Sequence, residues 1–409
     1  MVKPMSQLIV TPRVYEAVLT ILNNVAQAQC PLDKAYAQHF FNFDYASQDH
    51  AVITQITGDM VRKLNLYSFI TGNTITHITS NPAVLFYAWS KIEQQTIPSF
   101  IELTQQEIDN VEQLIDTAKH NQSLMDGCPA WLNTLGENEL ADSWPQERSA
   151  LALAAKRFIR ANLLKTNTVE LQKTLEKEHI TTRLISDCVT ALEITSNSSL
   201  FKSLAFKNGL FEQQDVGSQL IIEALDVKPG MRVIDACSGA GGKTLGLAAY
   251  MKGKGRLLAM DIEEHKLAAL KQRAKRAGAD NIETRLITSS KTIKRLKESA
   301  DRLLLDVPCS GLGVLKRNPD AKWHSDMSES LPTLRHLQQD ILTRYSKMLK
   351  VDGIMVYATC SILPSENELQ VSAFLKANPN YKLINETTIS PAQSGFDGFY
   401  FASLQRISA

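Results

Sequence analysis

No apolar run in these 409 residues approaches membrane-spanning length, and the chain does not open on a basic start followed by an apolar core. A membrane span and a secretory leader are therefore not expected, and the plain reading is a soluble cytoplasmic protein. The six cysteines (Cys30, Cys128, Cys188, Cys237, Cys309 and Cys360) form no C-x-x-C pair and no dense framework. That spacing argues against structural zinc, any other metal, and disulfides, and leaves six free thiols. A charge of one sign is missing too: 44 Lys and Arg stand against 43 Asp and Glu. At 44% hydrophobic and 21% charged, the composition excludes a low-complexity or disordered chain.

What is present is unevenly distributed. Residues 1–130 carry 7 basic against 12 acidic side chains, and residues 131–409 carry 37 against 31. A basic C-terminal part fits a polyanionic partner, although solvated helix faces account for much of the difference. The length allows two or three domains. In 13–25, Val14, Ala17, Val18, Ile21, Leu22 and Val25 recur at helical spacing, and similar patterns at 48–70 and 105–119 make 1–130 a helical domain. Its aromatics Tyr36, Phe40, Phe41, Phe43, Tyr67 and Phe69 are read as core. Around 121–148, Gly, Pro, Asn and Trp accumulate at a composition boundary. Residues 131–205 then read as a small α+β module, with Arg157–Lys165 and a charged helix near 168–178.

From 206 to 409 apolar strands alternate with amphipathic helices. Strands are expected at 231–236, 256–260, 302–306 and 353–358, and helices at 243–251, 263–277 and 333–349. That rhythm predicts a parallel α/β sheet with ligands beyond the C-terminal strand ends. The segment 398–404 has strand character and is placed antiparallel at one edge. Within 231–244, an apolar strand runs into Gly239, Gly241 and Gly242 and then into a helix, which aims backbone N–H groups at something polar. A nucleotide phosphate, a dinucleotide and the amino-acid part of S-adenosylmethionine all fit such a turn. So does a βα turn that needs glycine only for packing.

Four polar features fall at the expected strand ends: Asp235 with the glycine turn, Asp261, Asp306-Val-Pro-Cys309 and Tyr357-Ala-Thr-Cys360. Asp261, 22 residues beyond Gly239, is placed to accept ribose hydroxyls. Gly242-Lys243-Thr244 with a later Leu303-Leu-Leu-Asp306 also suggests a P-loop NTPase. Cys237 stands where that loop needs its first glycine, and the P-loop reading uses neither Asp261 nor the cysteines. Two thiols beside an aspartate suit methylation at carbon 5 of a pyrimidine. A thiolate adding to carbon 6 makes carbon 5 nucleophilic, and a base later removes the carbon-5 proton as the thiolate leaves. An aspartate at the N3 edge helps the ring accept charge. Cys30, Cys128 and Cys188 are read as small buried hydrophobes.

With these residues assembled, the chain resembles the Sun-type (Nop/Sun) RNA cytosine-5 methyltransferases. The matching stretches are Phe211–Gln219, Asp235–Thr244, Asp306–Gly311, Lys316–Trp323, Tyr357–Ser361 and Asp397–Tyr400. The resemblance covers 206–409 and continues over 129–205 through Arg160–Lys165. Over 1–75, Arg13, Ala17, Asp49 and Met60-Val-Arg62 are similar to the NusB-like helical domain of bacterial ribosomal RNA enzymes.

The resemblance implies a Rossmann-like class I S-adenosylmethionine methyltransferase domain at 206–409, an RNA-binding α+β module at 131–205 and a NusB-like domain at 1–130. It implies Cys360 as nucleophile, Cys309 as the thiol that helps break the adduct, and Asp306 bonding the base and bordering the cofactor. Cys237, Ser238, Gly239, Ala240, Gly241, Gly242 and Lys243 would wrap the methionine part of S-adenosylmethionine, and Asp261 its ribose. Lys316-Arg317 and the small module would guide RNA through its phosphates.

The chain departs from the family at two places. Ser238-Gly239-Ala240 replaces the common Ala-Ala-Pro, for which a looser turn is expected. No aspartate follows the third strand, so Thr288 or Ser289 would meet the adenine. The expected substrate is an unstacked cytosine in 16S ribosomal RNA, with transfer RNA second and DNA disfavoured, and the expected state is a monomer. A ribosome-assembly binder with a degenerate cofactor site is the non-enzymatic alternative.

Overall fold

The protein is described from a computed structural model, which covers residues 7–323 and 327–408. It divides into two compact units, one of residues 1–154 with 314–329 and the other of 155–313 with 330–409.

The first unit is helical. Its opening helix Pro12–Ala26 begins with Pro at N1 and Thr11 capping the Val14 amide, and it buries the six apolar residues picked out by periodicity. Helix Gln105–Lys119 keeps the expected bounds because Thr104 and Glu107 form a reciprocal capping box. The expected helix over 48–70 is two helices, Ser47–Arg62 and Leu64–Thr71, separated at Lys63 and stopped by Gly72 in the left-handed region. The boundary at 121–148 is itself helical, with helices Ala130–Leu140 and Trp144–Leu151.

Of the aromatics assigned to core, Tyr67 is fully buried, while Tyr36 and Phe40 pack at its margin. Phe41, Phe43 and Phe69 are exposed, which corrects that reading. Tyr36 and Phe40 are four apart on helix Leu32–Asn42 and share a face, whereas Phe41 turns away and Phe43 lies past the helix end.

The second unit holds two sheets. Strands β1 (Arg157–Ala161), β2 (Thr182–Leu184), β3 (Ala191–Ile194) and β4 (Phe211–Gln213) form an antiparallel sheet in the order β2-β3-β1-β4. Helix Thr168–Lys177 buries Leu171 and Leu175 in the same apolar cluster as Ile159 and Leu192.

Next come β5 (Arg232–Asp235), β6 (Arg256–Asp261), β7 (Ile282–Leu286), β8 (Ala300–Asp306), β9 (Leu349–Thr359), β10 (Tyr381–Ile389) and β11 (Phe399–Arg406). They form a seven-stranded sheet in the order β10-β11-β9-β8-β5-β6-β7, parallel from β9 through β7. This is the Rossmann-like α/β architecture that the alternating pattern predicts. Val233, Ile234, Leu257, Leu258, Met260 and Leu303–Leu305 are at most 2% exposed, as continuous apolar strands covered on both faces must be.

Strand β11 is antiparallel, but it lies between β9 and β10 rather than at the edge. The edge strand β10 is largely exposed and polar, so its sequence carries no apolar run. The expected helix 333–349 runs as Met327–Tyr345, then a 3-10 turn Ser346–Met348, and Leu349 opens β9. From β5 the chain winds one way to β6 and β7 and the other way to β8 and β9. The crevice for a ligand therefore lies beyond the C-terminal ends of β5 and β8.

Candidate active site

At the end of β5, Asp235 is 1% exposed and its Oδ2 accepts from the Thr244 hydroxyl at 2.7 Å. Among the described residues its Oδ1 has no partner at hydrogen-bond geometry, and burial pushes the carboxyl up to about 7. The same enclosure, with Asp235, Asp306 and Asp261 around it, raises the Cys237 thiol well above its usual range. Gly239 and Gly241 have φ of +52° and +84° and turn the chain into helix Gly242–Tyr250. A side chain at Gly239 would meet nothing within 4 Å, whereas one at Gly241 would lie 2.1 Å from a Leu270 methyl.

The turn is pinned, not loose as its Ser-Gly-Ala sequence suggests. Both the Ser238 amide and its hydroxyl donate to the Met260 carbonyl, at 2.9 and 3.2 Å. Asp261 Oδ2 accepts from the Gly239 amide at 2.8 Å and its Oδ1 from the Glu263 amide at 2.9 Å. Arg273 donates to the Ala240 carbonyl and Arg160 to that of Gly242, each at 2.7 Å.

Neither arginine was assigned a role from sequence. Arg160 stood in a matching stretch, but that a buried β1 guanidinium would hold the glycine turn was not readable from it. Burial lowers Arg160 to about 10. Lys243 Nζ donates to Asp306 Oδ2 at 2.6 Å and sits 5.6 Å from the Phe399 ring centre. Thr288 and Ser289 are exposed just past β7, next to Ile287, whose amide bonds the Asp261 carbonyl at 2.8 Å.

The two strand-end cysteines converge because β8 and β9 are neighbours in parallel register, with Asp306 opposite Ala358. Cys309 Sγ and Cys360 Sγ are 3.2 Å apart, and the Cys360 amide donates to Cys309 Sγ at 3.3 Å. The hydrogen bond with Cys360, then burial, raise the Cys309 thiol well above its usual range. Behind them sits a residue the sequence reading missed. Glu366 is 0% exposed and its carboxylate joins the loops that carry both thiols.

For Cys30, Cys128 and Cys188 the sequence predicts small buried hydrophobes. Cys128 and Cys188 are buried, and burial lifts their thiols to about 12 and about 11. Cys30 packs against the helical core. Lys316, expected to touch phosphate, belongs to the helical unit and is 7% exposed. The P-loop alternative needs a hydroxyl free for magnesium, and Thr244 is fully buried on Asp235.

The family model described as 16S rRNA methyltransferase RsmB/F matches residues 222–405. A ribosomal RNA small subunit methyltransferase B from Vibrio cholerae is 31% identical over 289 residues, covering 68% of this chain and 65% of the relative. A probable ribosomal RNA small subunit methyltransferase B from Bacillus subtilis is 30% identical over 341 residues, covering 77% of this chain and 72% of the relative. The chain belongs to the RsmB/F family. The crystal structure of PH0851 matches 98% of this chain and all of its own with a TM-score of 0.80. At 24% identity that likeness speaks for the shared fold. The RsmB/F match spans β5 through most of β11, and so takes in the glycine turn and both cysteine loops.

Proposed function

We propose that this RsmB/F-family chain is a cytoplasmic RNA cytosine-5 methyltransferase that works as a monomer with S-adenosylmethionine. The observation that carries the proposal is the 3.2 Å approach of Cys309 and Cys360 at adjoining strand ends. The residues present fit the cofactor. The open side of Gly239, the unpartnered Asp235 Oδ1 and the spare lone pairs of Asp261 face a turn built for close backbone approach. Cys237 to Lys243 would hold the methionine part, Asp261 the ribose and Thr288 the adenine side. When bound, S-adenosylmethionine supplies a methyl group on a positively charged sulfur.

The Cys360 thiolate adds to carbon 6 of an unstacked cytosine, and the ring's electrons then make carbon 5 the nucleophile. Asp306, held by Lys243, bonds the base edge. After carbon 5 is methylated, a base removes the carbon-5 proton, Cys309 helps break the adduct, the double bond re-forms and Cys360 leaves as thiolate. Small-subunit ribosomal RNA is the first substrate because the relatives are named for it, and transfer RNA is the second.

Cys309→Ala is expected to accumulate a denaturation-resistant protein–RNA adduct, and Cys309→Ala with Cys360→Ser is expected to form none. Full methylation by Cys360→Ser would overturn the mechanism. Bisulfite sequencing of ribosomal and transfer RNA from cells lacking the protein identifies the substrate. Absence of any S-adenosylmethionine binding by calorimetry would favour the assembly-binder alternative.

A further inference from the structure

A carboxylate without access to water is costly unless hydrogen bonds replace its hydration. Glu366 is such a group, and among the described residues no cation pairs with it. Four donors converge on it instead. Oε1 accepts from the Ser310 amide at 2.8 Å and from Gln338 Nε2 at 2.9 Å. Oε2 accepts from the hydroxyls of Ser310 and Ser361, both at 2.5 Å. Ser310 directly follows Cys309, and Ser361 directly follows Cys360.

The turn carrying Glu366 is itself anchored to β9. Tyr357 donates its hydroxyl to the Glu366 carbonyl at 2.7 Å, and Asn367 Nδ2 donates to the Ser361 carbonyl at 3.1 Å. Gln338 also donates to the Pro308 carbonyl at 3.0 Å, on the other side of Cys309.

We propose that Glu366 is a positioning residue whose buried carboxylate ties the Cys309 and Cys360 loops together and so sets the two thiols for successive steps on one base. The inference rests on the two-cysteine reading above. The thiols belong to separate strands whose register ends at Asp306 and Ala358, and beyond it the Gly313 amide donates to the Cys360 carbonyl at 3.0 Å; Glu366 adds to that link by holding the serine that follows each thiol. The charge has a second effect: Glu366 lies close enough to Cys309 to help keep that thiol protonated, alongside Cys360. The buried Tyr357 hydroxyl is a further ionisable group close to Cys309.

Three variants test it in the full chain. Glu366→Ala removes the acceptor that four buried donors share. It is expected to lower kcat about 100-fold, the scale of a misplacement near 1 Å, with KM for RNA little changed. Glu366→Gln can keep the Ser310 amide and Gln338 bonds on its carbonyl oxygen while both serine hydroxyls rotate to accept from its NH2 group. It is expected to restore much of that loss. Ser361→Ala removes one donor and keeps the carboxylate, so it serves should Glu366→Ala fail to fold. It is expected to lower kcat roughly tenfold while the protein still folds, with a melting temperature lowered by a few degrees because the Leu363 amide loses its acceptor.

Site-resolved alkylation of Cys309 by iodoacetamide, without RNA or cofactor, gives an independent readout. In Glu366→Gln its pH profile moves to lower pH, a shift that loss of packing alone does not produce. Wild-type kcat in both Glu366→Ala and Ser361→Ala, or an unmoved Cys309 profile in folded Glu366→Gln, would overturn the proposal. If the wild-type protein shows no Cys360-dependent methylation, the two-cysteine reading fails instead, and the alkylation profile still decides the tie.

Discussion

Lys322 shows how far burial moves a single side chain. It is 5% exposed in the helical unit, and loss of hydration lowers its ammonium to about 7, with Cys128 and Asp126 opposing that shift and Arg62 and Lys63 adding to it. Its folded value is depressed, so between about 7 and the ordinary 10.5 the unfolded chain binds a proton that the folded chain does not. Stability contributed at this position therefore rises as pH climbs through that window and is flat below it. Lys322→Met should remove the dependence and stabilise the protein at pH 6 by at most about 5 kcal/mol. Melting curves of both proteins between pH 6 and 10 check this, and parallel curves would refute it. At this scale the nucleophile candidates were legible because Pro-Cys and Thr-Cys follow apolar strands. Glu366 was not, since nothing in the short Pro364-Ser-Glu366 turn tells that its carboxylate will meet two serines 51 residues apart.

Elements were legible where local chemistry and tertiary packing agree. The capping box at Thr104 fixed a helix to the residue, and four interior strands showed as apolar runs. Strands β7 and β10 were missed for one reason. Both lie at sheet edges, where half-exposed polar residues suffice and the periodic signal fades. The glycine turn separates two demands that sequence could not. Gly241→Ala meets both a left-handed φ and Leu270, so it should destabilise by roughly 2–3 kcal/mol. Gly239→Ala meets only the φ and should cost about 1 kcal/mol, yet fill the open side and weaken S-adenosylmethionine binding more than tenfold. Thermal melts and calorimetry on the two variants distinguish these losses. Equal effects on stability and affinity would show that the open side of Gly239 is not where the cofactor lies.

For the molecule as a whole, the chain leaves the α/β unit after Gly313, contributes 314–329 to the helical unit and returns at Ser330. Alternating strands and helices conceal such an excursion, because a short irregular insert carries no period. Within the helical unit the excursion is held by its indole and backbone. Trp323 donates to the Val61 carbonyl at 2.6 Å and packs on the apolar core, while Trp131 donates to the Lys322 carbonyl at 3.2 Å. Trp323→Ala should therefore destabilise the helical unit by about 3 kcal/mol, although the residue lies nearly two hundred positions beyond the 1–130 helices. Truncation to 155–409 should expose the same segment and lower the solubility of the fragment. Replacing Leu315 and Trp323 with Ser and Lys in that fragment should recover it. Chemical denaturation of Trp323→Ala, followed through hydrogen exchange of helix Ser47–Arg62, reads the effect directly. Unchanged exchange there would mean that 314–329 lies on the helices without stabilising them.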